Sequence, residues 1–305
     1  MRATLIADGG EAASDEDNFF RSSAFLAAEG VTHTLEVERA NLRLPLIVRP
    51  IESGGGVDAT SPYGYPGGSR APDSPPDPEE IDWSETGLVS IFVRDRIGGA
   101  CFDGGTVRTH VQIAVGRGGI RKRLREQIRR NERRGWVVEV SRGPEVRPEG
   151  RAAFERAYAE TMSRTDAADR YLYPNEYFER LLGSERSWLL LAARSGDGQG
   201  LAGAIAVASD GYLHYYLGGT ADEALGDSPM KNLFAAMISL GAELGLAVNL
   251  GGGLVPGDSL DHFKRGFAGG REPFRTHEIV CDRRAYERLT EGAGTPREGF
   301  FPAYR

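Results

Sequence analysis

Four stretches of this chain hold residues whose types and spacing can do chemistry. The first is Phe263-Lys264-Arg265-Gly266-Phe267, reached after Gly251-Gly252-Gly253 and a short loop. An ammonium fixed in a water-poor site stabilises negative charge developing on a carbonyl oxygen. On spacing alone, however, Lys264 reads as a surface lysine on a helix, flanked by Arg265. The second stretch is Ser61-Pro62-Tyr63-Gly64-Tyr65-Pro66-Gly67-Gly68, a turn-forming composition that either presents the phenols of Tyr63 and Tyr65 to a cleft or packs them under the loop. The third is the strand Tyr212-Leu213-His214-Tyr215-Tyr216-Leu217. Alternation puts Leu213, Tyr215 and Leu217 on a core face and leaves His214 and Tyr216 on the other.

The fourth stretch is basic. Residues 121–134 carry Arg121, Lys122, Arg123, Arg125, Arg129, Arg130, Arg133 and Arg134 against Glu126 and Glu132, a local balance of +6 on a chain of net charge −7. Ile120, Leu124 and Ile128 recur every four residues and form a narrow apolar stripe with Trp136 just beyond. The stripe seats a helix and leaves Arg121, Arg125, Arg129 and Arg133 as a solvent-facing row. Such a row contacts successive phosphates through a salt-sensitive, sequence-independent term. One concentrated positive element on an otherwise acidic body localises an anionic partner. Arg117-Gly118-Gly119, just before it, reads as a strand-to-helix turn rather than a pyrophosphate cradle, because Arg121 obstructs close backbone approach where a glycine is needed.

These stretches, in this order, resemble the Fem family (FemXAB-like) of aminoacyl-tRNA-dependent peptidyltransferases, doubled relatives of the GNAT acyltransferase fold. The similarity runs from about Ile120 to Arg283 and is weaker before it. It implies that Lys264, beside Phe263, sits where the aminoacyl end of a charged tRNA meets the acceptor amine. It further implies that Tyr63, Tyr65, Tyr177 and Tyr216 line the substrate cleft, and that Arg121, Lys122, Arg125, Arg129 and Arg133 bind tRNA. An aminoacyl ester is already activated, so a neutral amine attacks it without a covalent enzyme nucleophile or a cofactor. Two departures bear on the acceptor. Cell-wall members insert a long helical arm in the second domain, and no heptad-bearing segment exists here. They also place an Arg four residues before a Tyr-Phe pair, where it holds a diphosphate; here the pair is Tyr177-Phe178 and the earlier residue is Tyr173. The implied acceptor is therefore a peptide or a peptidyl natural-product intermediate. The alternatives are an acyl-CoA N-acyltransferase of the GNAT type, a cell-wall transferase, and a catalytically silent RNA-binding module.

The elements that must position these residues are legible in outline. At 305 residues, 40% hydrophobic and 27% charged, the chain suits two globular domains. The expected fold class is α/β: two acyltransferase-like domains of mostly antiparallel sheet with flanking helices, 1–145 and 146–305, linked through 141–150. Strands are expected over 32–38, 42–49, 88–92, 107–115, 137–140, 188–193, 202–209, 212–218 and 246–250. Helices are expected over 20–28, 121–134, 151–163 and 175–182, with another starting at Ser228-Pro229 and ending at Gly245. Cys101 and Cys281 are too few for a disulfide framework, and the five histidines show no metal-ligand spacing. No apolar stretch approaches the roughly 18 to 20 residues of a membrane span, and Met1 to Asn18 does not read as a signal peptide. A cytoplasmic protein with no DNA partner is the expectation. Ser/His/Asp, paired-carboxylate and Walker patterns do not stand out, which gives hydrolase and kinase chemistry little support.

Overall fold

The computed structural model describes all residues except 11, 13–17, 53–54, 71–73, 197–199, 254, 256 and 294–299. The chain forms two compact units, Met1–Arg108 with Pro273–Arg305, and Thr109–Glu272.

The first unit begins with β1 (Ala3–Ile6), α1 (Ser23–Ala28), β2 (His33–Val37), β3 (Leu42–Pro50), β4 (Val57–Thr60) and β5 (Leu88–Arg94). The hairpin β2–β3 pairs Leu35 with Leu44 and Val37 with Leu42. Alternation puts Leu42, Leu44 and Leu46 on the face packed with Ile91, Val93 and Phe102. β4 runs parallel to β5, and β3 pairs with it antiparallel. β1 and β4 are four residues long, too short for alternation to reveal in the sequence.

The second unit contains β6 (Thr106–Ala114), α2 (Lys122–Arg133), β7 (Trp136–Arg142), α3 (Pro148–Arg164), α4 (Asn175–Leu182), β8 (Ser187–Arg194), β9 (Ala202–Ser209), β10 (Tyr212–Thr220), α5 (Met230–Glu243), β11 (Ala247–Asn249) and α6 (Ser259–Arg265). Strand order is β6-β11-β10-β9-β8-β7. β7 to β10 form an antiparallel meander, and β10 pairs with β11 in parallel through the crossover helix α5. The stretch 141–150, expected to join two domains, turns from β7 into α3 inside this unit, and the chain changes units at 108/109 and 272/273 instead. A Gly/Pro-containing polar segment looks the same in either role. Only the pairing of Trp136–Arg142 with Ser187–Arg194 distinguishes them.

The core of this unit is built by Leu233, Phe234, Met237 and Ile238 of α5 on Leu190, Ala204, Leu213 and Val248. Ile120, Ile128 and Trp136 join it, so the apolar stripe of the basic helix seats as its spacing requires. Helix α3 approaches β10 closely because Gly219 has no side chain; a Cβ there would lie 2.5 Å from the Ala157 carbonyl oxygen. Helix α5 ends in a Schellman arrangement, with Gly245 at φ +71° and the Leu246 N–H donating to Gly241 O (2.8 Å). Its start differs from expectation. Pro229 occupies the N-cap, and Ser228, at φ +50°, gives no side-chain cap.

The chain returns to the first unit through β12 (Gly270–Val280), followed by α7 (Arg283–Gly292). β12 pairs antiparallel with β5, setting His277 opposite Val93 and Ile279 opposite Ile91. Among the described residues the longest helix is α3, of 17 residues, so none forms a long helical arm. No described helix is long and apolar enough to cross a membrane.

Candidate active site

Helix α6 positions Lys264. Asp258 caps it by accepting the Asp261 N–H (2.7 Å). Asp261, itself buried, then accepts from Gln112 Nε2 (2.8 Å) and Arg265 Nη2 (2.6 Å). Phe263 packs against Phe234 and Phe267 with ring centroids 5.5 and 5.3 Å away, and so anchors the helix to the core. Phe263 is thereby a packing residue of the site.

Lys264 is only 6% exposed, which excludes the surface-lysine reading. Its Nζ donates to Gly252 O (2.7 Å) in the triple-glycine loop and lies 5.4 Å from the centroid of the Tyr215 ring. An ammonium has three N–H groups, and among the described residues Gly252 O is the hydrogen-bond acceptor Nζ meets. Two donors remain for a ligand. Burial pushes the Lys264 ammonium down to about 8, against the opposing pull of Asp258 and Asp261. The group is therefore charged at neutral pH but only shallowly so. Burial also pushes the Tyr215 phenol up to about 12, so it keeps its proton.

Alternation places Tyr215 on the core face beside Leu213, and it packs there edge-on against Phe234 (5.0 Å); what the sequence did not show is that this face also meets Lys264. A β-bulge at Tyr216 shifts the register against β9 from Leu217 onward. Tyr216 turns to α4, where its phenol hydrogen-bonds that of Tyr177 (2.7 Å). Tyr177 and Tyr216 are thus brought together, but as a buried pair, with Tyr173 stacked on Tyr177 at 4.0 Å. His214 is no cleft residue. Its Nδ1 accepts from Asn249 Nδ2 (3.0 Å) and its Nε2 donates to Ser209 O (3.1 Å), tying β10 to β11 inside the sheet. Asp261 carried a usable sequence signal, since it lies three residues before Lys264 and four before Arg265 on one helical face.

The basic helix meets this site directly. The Arg121 N–H, at the N-cap of α2, donates to Gly266 O just past α6 (2.9 Å). That bond and Ile120 N–H to Arg117 O (3.2 Å) occupy the Ile120 and Arg121 amides, and Arg117–Gly119 forms a single 3-10 turn. Arg121, Lys122, Arg123, Arg129, Arg130 and Arg133 are exposed, and among the described residues no carboxylate pairs with them. Arg125 is exposed and bends back to Ile120 O. Burial, with Arg130 and Arg123 nearby, pushes the Lys231 ammonium down, which marks an extension of the cationic face onto α5. The far end of α2 is pinned by Asp227, whose carboxylate accepts from Arg134 (2.8 Å), Arg194 (2.8 Å) and Trp136 Nε1 (3.0 Å).

Tyr63 and Tyr65 belong to the first unit, on a loop held by Arg94 Nη1 donating to Ser61 O (2.7 Å) and the Tyr63 N–H donating to Glu29 Oε2 (2.8 Å). The Tyr65 ring packs edge-on against Phe20 (5.8 Å) and Phe274 (5.0 Å). Both tyrosines are half-buried. Among the described residues no group of three or more His, Cys, Asp or Glu is arranged to hold a metal.

Residues 118–265 match the model of the acetyltransferase (GNAT) domain. The chain carries a GNAT-type acyltransferase fold. Its solved structural neighbours include FemX, at TM-score 0.57 and 13% identity, covering 84% of this chain and 89% of that one. The C-terminal domain (DUF2156) of a protein assigned as a lysylphosphatidylglycerol synthetase in Agrobacterium fabrum aligns at TM-score 0.58 and 15% identity, over 92% of this chain and 93% of its own. L-PGS from Bacillus licheniformis aligns at 0.56 and 14%, over 90% and 89%. At these identities the likeness is one of fold. No curated protein matches the chain in sequence.

Proposed function

We propose that the protein is an aminoacyl-tRNA-dependent aminoacyltransferase that joins a tRNA-borne amino acid to the amine of a peptide or peptidyl natural-product intermediate. The observation that carries this reading is the buried Lys264 ammonium, bonded among the described residues to Gly252 O alone, on a helix whose end is hydrogen-bonded to the start of the basic helix. A neutral acceptor amine attacks the ester carbonyl carbon, and Lys264 stabilises the oxygen that becomes negative. The tetrahedral species collapses, the C–N bond stays, and the ribose oxygen of the tRNA departs with a proton. The exposed face of α2 supplies the phosphate contacts. Charged tRNA is the co-substrate, and the reaction requires no metal or cofactor. The cytoplasm, where charged tRNA is found, is the site of action in this reading.

Tyr173 offers no anion clamp, and of the nearby guanidiniums Arg164 pairs with Asp222 while Arg170 lies over the Tyr171 ring (4.9 Å). This favours an acceptor without a diphosphate. The match to the acetyltransferase domain favours a second reading, transfer from an acyl-CoA. Against it stands the turn at Arg117-Gly118-Gly119, where Arg121 occupies the position at which close backbone approach to a pyrophosphate needs a glycine. Incubation with labelled charged tRNA, in parallel with labelled acetyl-CoA, and a peptide amine separates the two. Label appearing in the peptide from acetyl-CoA alone overturns the tRNA reading.

A further inference from the structure

A cavity of about 670 Å³ lies within the first unit, away from every residue assigned above. Its size is that of a small-molecule site. His277, 3% exposed, lines the cavity, and Asp95, 1% exposed, is bonded to that ring. Asp95 Oδ1 accepts the Cys101 N–H (2.9 Å), and Oδ2 faces His277 Nε2 at 3.0 Å. In the neutral ring whose Nε2 proton the carboxylate accepts, Nδ1 holds a lone pair, and among the described residues nothing hydrogen-bonds to it. It is not among the sealed, unsatisfied buried atoms either. A nearly buried imidazole lining a cavity with an unsatisfied acceptor is an incomplete hydrogen-bond arrangement. Gly105 lies close against the ring, where a Cβ would come within 2.5 Å of its Cε1, so a side chain there would displace the imidazole. Around it Glu79, Asp103 and Glu278 contribute three carboxylates against the one guanidinium of Arg283.

We propose that this cavity binds a small ammonium-bearing molecule, with His277 Nδ1 accepting an N–H from the ligand and the rim carboxylates balancing its charge. The Asp95–His277 pair fixes the tautomer and orients the ring, the role a carboxylate plays behind any imidazole that must present one nitrogen. The site stands independently of the transfer reaction at Lys264.

Calorimetric titration of the full chain with L-lysinamide tests this, with the doubly N-acetylated compound as neutral control. Binding of lysinamide with a displaced His277 Nδ1 resonance in nitrogen-15 spectra is expected, and the neutral control should bind at least 10-fold more weakly. Asp103→Asn combined with Glu278→Gln, both exposed, should weaken lysinamide by a further 10-fold or so without altering the melting temperature. His277→Gln should abolish binding; if it fails to fold, the rim variant still decides. Equal affinity for the neutral control, an unmoved His277 resonance, or no binding at millimolar lysinamide overturns the proposal.

Discussion

In the proposed reaction Lys264 is the residue on which the chemistry turns. Lys264→Ala should lower turnover by roughly 10²-fold or more, the scale of losing one oxyanion donor, with near-wild-type melting. Single-turnover transfer at saturating charged tRNA and acceptor is the measurement, and near-normal turnover would remove Lys264 from the mechanism. The pH profile gives a second check. The ammonium is present below about pH 8 and lost above it, so turnover should fall on the alkaline side with an apparent midpoint near 8. The unfolded chain holds that proton up to about 10.5. Between the two values folding releases a proton, and this group's contribution to stability increases as pH rises. Unfolding through Lys264 therefore does not explain the alkaline decline. In Lys264→Arg the decline near 8 should vanish, because a guanidinium stays charged, while turnover recovers only partly because its planar fork cannot occupy the same point.

At the scale of elements, the basic helix and its two moorings make separate predictions. Arg129→Glu with Arg133→Glu reverses two exposed, unpaired cations and should raise the KM for charged tRNA with little change in that for the acceptor. Affinity should fall by about 0.7 to 0.9 log units per tenfold salt for each phosphate contact in the wild type, and less steeply in the variant. Filter binding across a salt series reads both, and an unaltered slope would detach α2 from tRNA. Asp227→Ala removes the acceptor shared by Arg134, Arg194 and Trp136 Nε1. Leaving the buried indole N–H unsatisfied costs about 1–3 kcal/mol, so denaturant unfolding should show a loss of that size. Hydrogen exchange should show α2 loosened from its C-terminal end.

For the whole molecule, the chain leaves the first unit and returns to it through β12, so that unit depends on residues 273–305. A chain ending at Glu272 lacks the strand that pairs with β5 and lacks Arg305, whose guanidinium reaches the buried Asp58 at 2.6 Å. Residues Leu88–Arg94 should then lose amide protection, and the first unit should fail to fold. The second unit, which holds its own core, should keep its near-ultraviolet signal from Trp136 and Trp188. Full protection of β5 in the truncated chain would contradict this account.

The amino-acid sequence determined the α/β class, most of the longer elements and the seat of the basic helix, because those rest on local periodicity: Ile120, Leu124 and Ile128 recur at helical spacing, and Leu42, Leu44 and Leu46 at strand spacing. It also determined where an ammonium stood, though not whether it was exposed. Tertiary structure alone decided the rest. The burial of Lys264 depends on Gly252 and Tyr215 arriving from other elements. Tyr215 keeps the face its alternation gives, and only the packing of other elements brings that face to Lys264; the bulge just after it breaks the period at Tyr216. The Tyr177–Tyr216 hydrogen bond joins residues 39 positions apart, and the partner of β5 is a strand that begins at Gly270. Periodicity records which face a residue takes within one element; which element lies opposite is a property of long-range pairing, and no local pattern encodes it.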